Sequence, residues 1–311
     1  MDRPGPVTAA LSRRAAEFVA EFDLGDRVCV GLSGGADSLA LTAACLGAGL
    51  DVHAVVVDHR LQPGSDSVAA TAAAVATGWG ATSEVVGVDV AGGGGPEAAA
   101  RTARYAALEN ARQGRPVLIA HTLDDQAETV LLGLARGSGL RSIAGMAPWR
   151  APWGRPLLGA RRTETAAACA ELGVTPYRDP HNTDPRYTRV RMRHEVLPLL
   201  EDVCQGGVAE ALARTAVQVR DADSALDEVA AALTVDTPDL ARWPAAIRTR
   251  VVRGWLMGVG ATEPTAATIE AVDRLLCGHT RDAQVAIGGD SRHRLVAMMI
   301  DGRLQTGRTP R

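Results

Sequence analysis

The sequence predicts an α/β fold, a mainly parallel sheet with helices on both faces, followed by a smaller helical domain. Three observations carry this expectation. Between residues 28 and 135, short apolar runs alternate with longer helix-patterned segments, as expected of strand–helix–strand units. A Gly- and Ser-rich segment, 33–38, directly follows the first run. From about residue 208 the pattern becomes helical. The expected parts are therefore an α/β domain over 1–205 and a helical domain over 206–311.

The elements follow in order. Val28 to Leu32 is a short apolar run enriched in β-branched residues and reads as a buried strand. Leu39 to Leu46 reads as a helix ending near Gly47 and Gly49. Val52–Val57 is a second strand, the Ala-rich stretch Asp66 to Trp79 a helix, and Ser83–Val88 a third strand. Four glycines at 92–95 read as a loop, after which Pro96 suits the first position of a helix. Glu97 to Arg112 continues that helix, with Arg101, Tyr105 and Leu108 spaced i, i+4, i+7. A fourth strand over 117–120 and a helix over 123–135 complete the alternation. Ligands of such sheets sit beyond the C-terminal ends of the strands. Segments 33–38, 58–62 and 121–128 each follow a strand and are expected on one edge. Residues 137–190 are rich in Gly, Pro, Trp and Arg, with one helix near 161–172, and three more helices are expected over 208–231, 243–257 and 266–276.

Composition narrows the function. The chain has 311 residues, 46% hydrophobic and 22% charged, enough for a sizeable core and against wholesale disorder. No apolar run reaches membrane-spanning length and no secretory signal is read, so a cytoplasmic location is expected. All 33 basic residues are Arg. Lysine nucleophiles are thereby excluded, and phosphate must be held by Arg, backbone N–H or metal. The five cysteines are widely spaced without a CxxC. They read as small buried hydrophobes rather than a disulfide framework or a zinc or iron–sulfur site. Net charge is −3, yet residues 136–193 carry 11 Arg against 4 acids, with Trp149, Trp153, Tyr177 and Tyr187 interleaved. That pattern suits RNA, where Arg neutralises phosphates and aromatics stack on exposed bases; a solvated charged face is the bland alternative.

The sharpest motif is Ser33-Gly34-Gly35-Ala36-Asp37-Ser38 between a strand and a helix. Glycines admit close backbone approach, and successive N–H groups at a helix N-terminus form an anion cradle. The motif is neither GxGxxG nor a Walker loop. Downstream, His121-Thr122-Leu123-Asp124-Asp125-Gln126-Ala127-Glu128-Thr129 opens a helix, with Asp125 and Glu128 on one face. Two such carboxylates can cap the helix, hold an ammonium ion or bind Mg²⁺.

SGGxDS resembles the PP-loop of the N-type ATP pyrophosphatases, which cleave ATP between the α and β phosphates. The second motif makes the resemblance narrower, because HxLDDQAET after a PP-loop looks like the tRNA(Ile)-lysidine synthetases. Val57-Asp58-His59-Arg60-Leu61, Glu97 to Tyr105 (EAAARTARY), Arg136-Gly137-Ser138-Gly139, Gly145-Met146, Asp179-Pro180, Asn182, Asp184 and the stretch Arg189 to Leu200 also resemble that family. The match spans roughly residues 25–200. Val190, Ala120 and Ser142 stand where the family usually has Asn, in some members His, and Gly. The chain is also shorter than long members and is expected to lack their final domain.

The resemblance implies a Rossmann-like PP-loop ATPase fold and a two-step reaction. Cytidine O2 at the wobble position of a minor isoleucine tRNA with a CAU anticodon is adenylated by ATP. The ε-amine of free L-lysine then attacks C2, giving lysidine, AMP and pyrophosphate. Ser33, Gly34, Gly35, Ala36, Asp37 and Ser38 are expected to bind ATP, joined by Asp58 and His121, with Mg²⁺ on Asp37. Asp125 and Glu128 are expected to orient the lysine ammonium, with Glu128 as proton acceptor, and Arg189 to neutralise the reacting phosphate. Arg101, Arg104, Arg161 and Arg162 are the expected RNA contacts. The helical domain is a second expected tRNA contact, and a homodimer is left open. The competing readings are a PP-loop tRNA thiolase and a non-catalytic RNA-binding protein.

Overall fold

The computed structural model describes residues 5–60, 62–89, 96–137, 139–261, 263–278, 283–289 and 292–310. The four-glycine segment, Leu61 and Ser138 of the sequence motifs lie outside the described residues. The chain divides into two compact units, Met1–Val217 and Gln218–Arg311.

In the first unit, helix α1 (Pro6–Glu21) precedes strand β1 (Arg27–Leu32), and α2 (Ala36–Gly47), β2 (Asp51–Asp58), α3 (Ser65–Gly78), β3 (Thr82–Gly87), α4 (Pro96–Ala111), β4 (Val117–Leu118) and α5 (Leu123–Ala135) follow in alternation. A short helix α6 (Leu140–Ile143), the two-residue strands β5 (Trp149–Arg150) and β6 (Trp153–Gly154), and helix α7 (Arg162–Glu171) come next. The sheet order is β3-β2-β1-β4-β6-β5. All pairs are parallel except β5 with β6. Strand order reverses between β1 and β4, and the crevice beyond the C-terminal ends of those two strands is where open α/β sheets bind ligands. Ser33 and His121 lie just past those two ends.

The core forms because β1 and β2 are apolar on both faces. Val28, Val30, Val52 and Ala54 are buried against Leu11, Ala15, Leu41 and Ala44 of α1 and α2, while Cys29, Val55 and Val117 pack with Leu108 of α4 on the other side. Helix α1 was not foreseen. Its sequence signals are Pro6 at the first position and buried Leu11, Ala15 and Phe18 at helical spacing.

The first unit ends in a nearly continuous helical run: α8 (Thr188–Arg191), a π-turn over Met192–Val196, α9 (Leu197–Val203) and then the start of α10 (Val208–Ala231). π-turns inside helices often mark functional sites, and this one carries Arg193.

The second unit contains α11 (Ala245–Gly258) and α12 (Ala266–Leu276), but it closes with a three-stranded antiparallel sheet: β7 (Val285–Gly289), β8 (His293–Ile300) and β9 (Arg303–Pro310). Its core joins Val252, Leu256, Val272 and Leu275 to Ile287, Ala297 and Leu304. The helical expectation stopped at 276 and did not include this sheet. The Asp301-Gly302 turn, with φ of +50° and +75°, is the missed signal, because Asp-Gly between apolar runs marks a type I′ hairpin. Among the described residues no helix is long and apolar enough to cross a membrane.

Candidate active site

The PP-loop forms as its residue types dictate. Gly34 adopts φ +78°, a conformation costly for any residue with a Cβ, and its carbonyl accepts the Tyr177 N–H at 2.9 Å. Ser38 Oγ ties the loop together, accepting the Ser33 N–H at 3.1 Å and donating to the Gly35 carbonyl at 2.9 Å. Gly35 is the N-cap of α2 and no side chain caps the helix. The first-turn N–H groups, which have no intrahelical acceptor, therefore suit an anion. Asp37 lies in that turn, 28% exposed, and Thr165 Oγ1 of α7 donates to its Oδ1. Burial raises its carboxyl above the usual range, opposed by the Thr165 bond.

Helix α5 opens on a capping box. Asp125 Oδ2 accepts both the N–H and the hydroxyl of Thr122 at 2.8 Å, and the Asp125 N–H returns a bond to Thr122 Oγ1 at 3.4 Å. Capping uses one oxygen, while the other faces the site. Oδ1 accepts Arg162 Nη2 at 3.0 Å and Arg193 Nη2 at 3.2 Å. One turn later, Glu128 is fully buried. Its Oε1 accepts Arg193 Nε at 2.8 Å and Arg162 Nη2 at 3.2 Å, and its Oε2 accepts Arg189 Nε at 3.0 Å and Arg193 Nη2 at 3.3 Å. Burial pushes the Asp125 carboxyl up, but Arg162, the Thr122 N–H and Arg189 together hold it below the usual carboxylate range. Arg162 Nε is 3.9 Å from Asp37 Oδ2, so the cluster joins the PP-loop to α5, α7 and α8.

A basic rim adjoins this cluster. Arg104 of α4 lacks a carboxylate partner among the described residues, and burial depresses its pKa, with Arg101 and Arg189 adding to the effect. Arg101 Nη2 donates to the Tyr105 hydroxyl at 3.1 Å. Among the described residues, the imidazoles of His59 and His121 each keep a buried Nδ1 without a partner. Burial pushes His121 down to about 3 and also lowers His59, so both are neutral at physiological pH. The unfolded chain takes up a proton on His121 near pH 6.5 while the folded ring does not, so stability falls as pH drops below that value. His121→Gln is expected to flatten the urea-unfolding free energy by up to about 1.4 kcal/mol per pH unit between about pH 6 and 4. An unchanged slope would mean that His121 charges within the fold.

Family models match two parts of the chain: the PP-loop domain over residues 7–200 and the TilS substrate binding domain over 236–296. The tRNA(Ile)-lysidine synthase of Rhodococcus erythropolis is 55% identical, covering 97% of this chain and 96% of the relative. That of Mycobacterium tuberculosis is 53% identical, with both chains fully covered. The chain belongs to the tRNA(Ile)-lysidine synthase family. A solved structure, the U34-tRNA thiolase NcsA from Methanococcus maripaludis with its [4Fe-4S] cluster, superposes with a TM-score of 0.54 at 18% identity, over 68% of this chain and 78% of that one. That likeness shows the PP-loop fold alone.

Against the expectations for a lysidine synthase, Asp37, Asp125, Glu128 and Arg189 converge. Four placements differ from the sequence reading. Arg162, expected on the RNA surface, is bound to Asp125 and Glu128 inside the cluster. Arg161 is also tied down, to Asp124 at 3.1 Å and Glu210 at 2.7 Å, because both arginines lie at the start of α7, beside the acidic first turn of α5. Trp149 packs towards Phe22, and Trp153 lies 4.6 Å from the Tyr105 ring, so both serve packing rather than open stacking. Asp58 ends β2 and accepts the Arg60 N–H at 2.9 Å. Sequence reasoning missed Arg193 and Thr165. The R-x-x-x-R spacing from Arg189 was the available signal for Arg193, whereas nothing local marks Thr165.

Proposed function

We propose that this protein ligates free L-lysine to C2 of the wobble cytidine in a tRNA(Ile) with a CAU anticodon. The observation that carries the reading is the meeting, at one sheet edge, of an uncapped PP-loop helix with the Asp125–Glu128–Arg189 cluster. Cytidine O2 attacks the α-phosphorus of ATP and pyrophosphate leaves into the cradle of Ser33 to Ser38. Glu128 takes a proton from the ε-ammonium, and the free amine then attacks C2 and expels AMP. Asp125 and Glu128 hold the amine and Arg189 faces the reacting phosphate, where a fixed positive charge lowers the barrier most. Arg101 and Arg104, with His59 and His121 beside them, form the wall against which the cytidine and its phosphates lie.

Among the described residues no group of three or more His, Cys, Asp or Glu side chains is arranged to hold a metal by itself. Mg²⁺ at nucleotide sites needs only one or two carboxylates besides phosphates and water. Asp37 fits that need, since a cation there offsets the burial that raises its carboxyl. Bound with ATP, Mg²⁺ supplies charge neutralisation of the leaving pyrophosphate. The second unit is assigned to tRNA contact, through arginines other than Arg248 and Arg250, which are paired with Asp273 and with Asp223 and Asp227. The enzyme works in the cytoplasm, where its substrates are; a second copy of the chain is an open partner.

Incubation with ATP, Mg²⁺, lysine and total tRNA, followed by nucleoside mass spectrometry, is expected to give lysidine together with AMP and pyrophosphate. Products of ADP and phosphate, or a sulfur-containing nucleoside, would overturn the reading.

A further inference from the structure

We infer that Arg162 is a tethered stand-in for the substrate amine: its guanidinium occupies the amine position between Asp125 and Glu128 and swings out when lysine binds. The inference rests on Asp125 and Glu128 being the amine site. In the structure those carboxylates leave an ammonium ion no room. Both oxygens of Glu128 are doubly engaged by guanidinium groups, so an incoming cation must displace one.

The three arginines are not equally replaceable. Arg193 grips Glu128 through two nitrogens and Asp125 through one of them. Arg189 is also anchored on neutral acceptors, the Asp125 carbonyl at 3.3 Å and Thr129 Oγ1 at 3.5 Å. Among the described residues, the Arg162 side chain pairs with carboxylates alone: Asp125, Glu128 and the more distant Asp37. Its backbone is fixed independently: the N–H donates to Asp124 Oδ2 at 2.7 Å. The side chain is 28% exposed, so its long stem can rotate outward without moving α7.

Charge favours exchange over addition. Asp125 and Glu128 already face three guanidinium groups, those of Arg162, Arg189 and Arg193. An added ammonium raises that positive excess, whereas replacing the Arg162 guanidinium leaves the charge unchanged. The departure frees one acceptor each on Asp125 Oδ1 and Glu128 Oε1, which serve two of the three donors of an ammonium group. The exchange keeps every acceptor on the two carboxylates occupied before and after lysine binds, at the cost of weaker lysine binding.

The experiment compares lysine KM, at saturating ATP and tRNA, in the full-length protein and its variants. Arg162→Gln removes the competing cation and is expected to lower lysine KM about tenfold, while Arg162→Lys keeps a cation and is expected to stay near the unaltered value. A second measurement needs no variant: phenylglyoxal labelling read by peptide mass spectrometry is expected to modify Arg162 several-fold faster when lysine is bound. A lysine KM that is unchanged or raised in Arg162→Gln, or Arg162 labelling that lysine leaves constant or slows, overturns the inference. Asp125→Asn separates the two levels. If it raises lysine KM while Arg162→Gln does not lower it, the amine site stands and the exchange is wrong. If neither variant moves lysine KM, the amine site itself is misplaced.

Discussion

Glu128→Gln is expected to destabilise the protein by about 3–5 kcal/mol, the cost of leaving buried charge uncompensated. Glu128 is fully buried and accepts four guanidinium N–H bonds from three arginines. Gln keeps the shape but replaces one acceptor oxygen with an NH₂ group that faces donors. At 2–4 °C per kcal/mol for a unit of this size, Tm should fall by roughly 10 °C. The arginines are the reason for the loss, so Arg193→Met in the same chain should recover part of it, and a double-mutant cycle should give a coupling of opposite sign to the single losses. A Glu128→Gln protein within about 1 kcal/mol of the unaltered one would show that water reaches the cluster and that Glu128 does not hold the arginines together.

The parallel sheet and its crossover helices were legible because β1, β2 and β4 are built on apolar runs, Val28–Leu32, Ala54–Val57 and Val117–Leu118, alternating with helix-patterned segments. The PP-loop was legible because its chemistry is local: Gly34, Gly35 and Ser38 act on each other within six residues. The pairing of Asp125 with Glu128 was also local, as a helix i, i+3 pair. What lay beyond sequence reach was the partner of each charge. Arg162 and Arg189 both sit in an Arg-rich stretch that composition assigns to RNA. Only the packing of α7 and α8 on α5 turns them towards Glu128, across 34 and 61 residues of chain. The same holds for Thr165, which reaches Asp37 across 128 residues. The sheet over β7–β9 was missed for a different reason. β8 has buried residues at consecutive positions, Val296 and Ala297, so the period-two alternation that marks a half-buried strand is absent.

Arg189→Ala is expected to lower kcat by about 10²–10³ at saturating tRNA, the usual loss when one fixed charge aimed at a developing negative charge is removed. Tertiary structure should survive, because Glu128 keeps Arg193 on both oxygens and Arg162 on one. The geometry explains why this arginine is the candidate. Nε and Nη2 are anchored on α5, through Glu128 and through the Asp125 carbonyl and Thr129 hydroxyl. Its side chain is also the most exposed of the three at 34%. It is therefore held in place while presenting charge to the crevice, the combination that electrostatic preorganisation requires. Arg161→Ala supplies the contrast. That side chain is spent on Asp124 and Glu210, so its loss should leave kcat at saturating tRNA within a few-fold. Phosphate contacts on the RNA act differently: they weaken with salt and disappear at saturation. Measuring kcat and KM for tRNA at two salt concentrations separates the cases, and an Arg189→Ala enzyme whose sole defect is a raised, salt-sensitive KM would move Arg189 from the reacting phosphate to the RNA-binding surface.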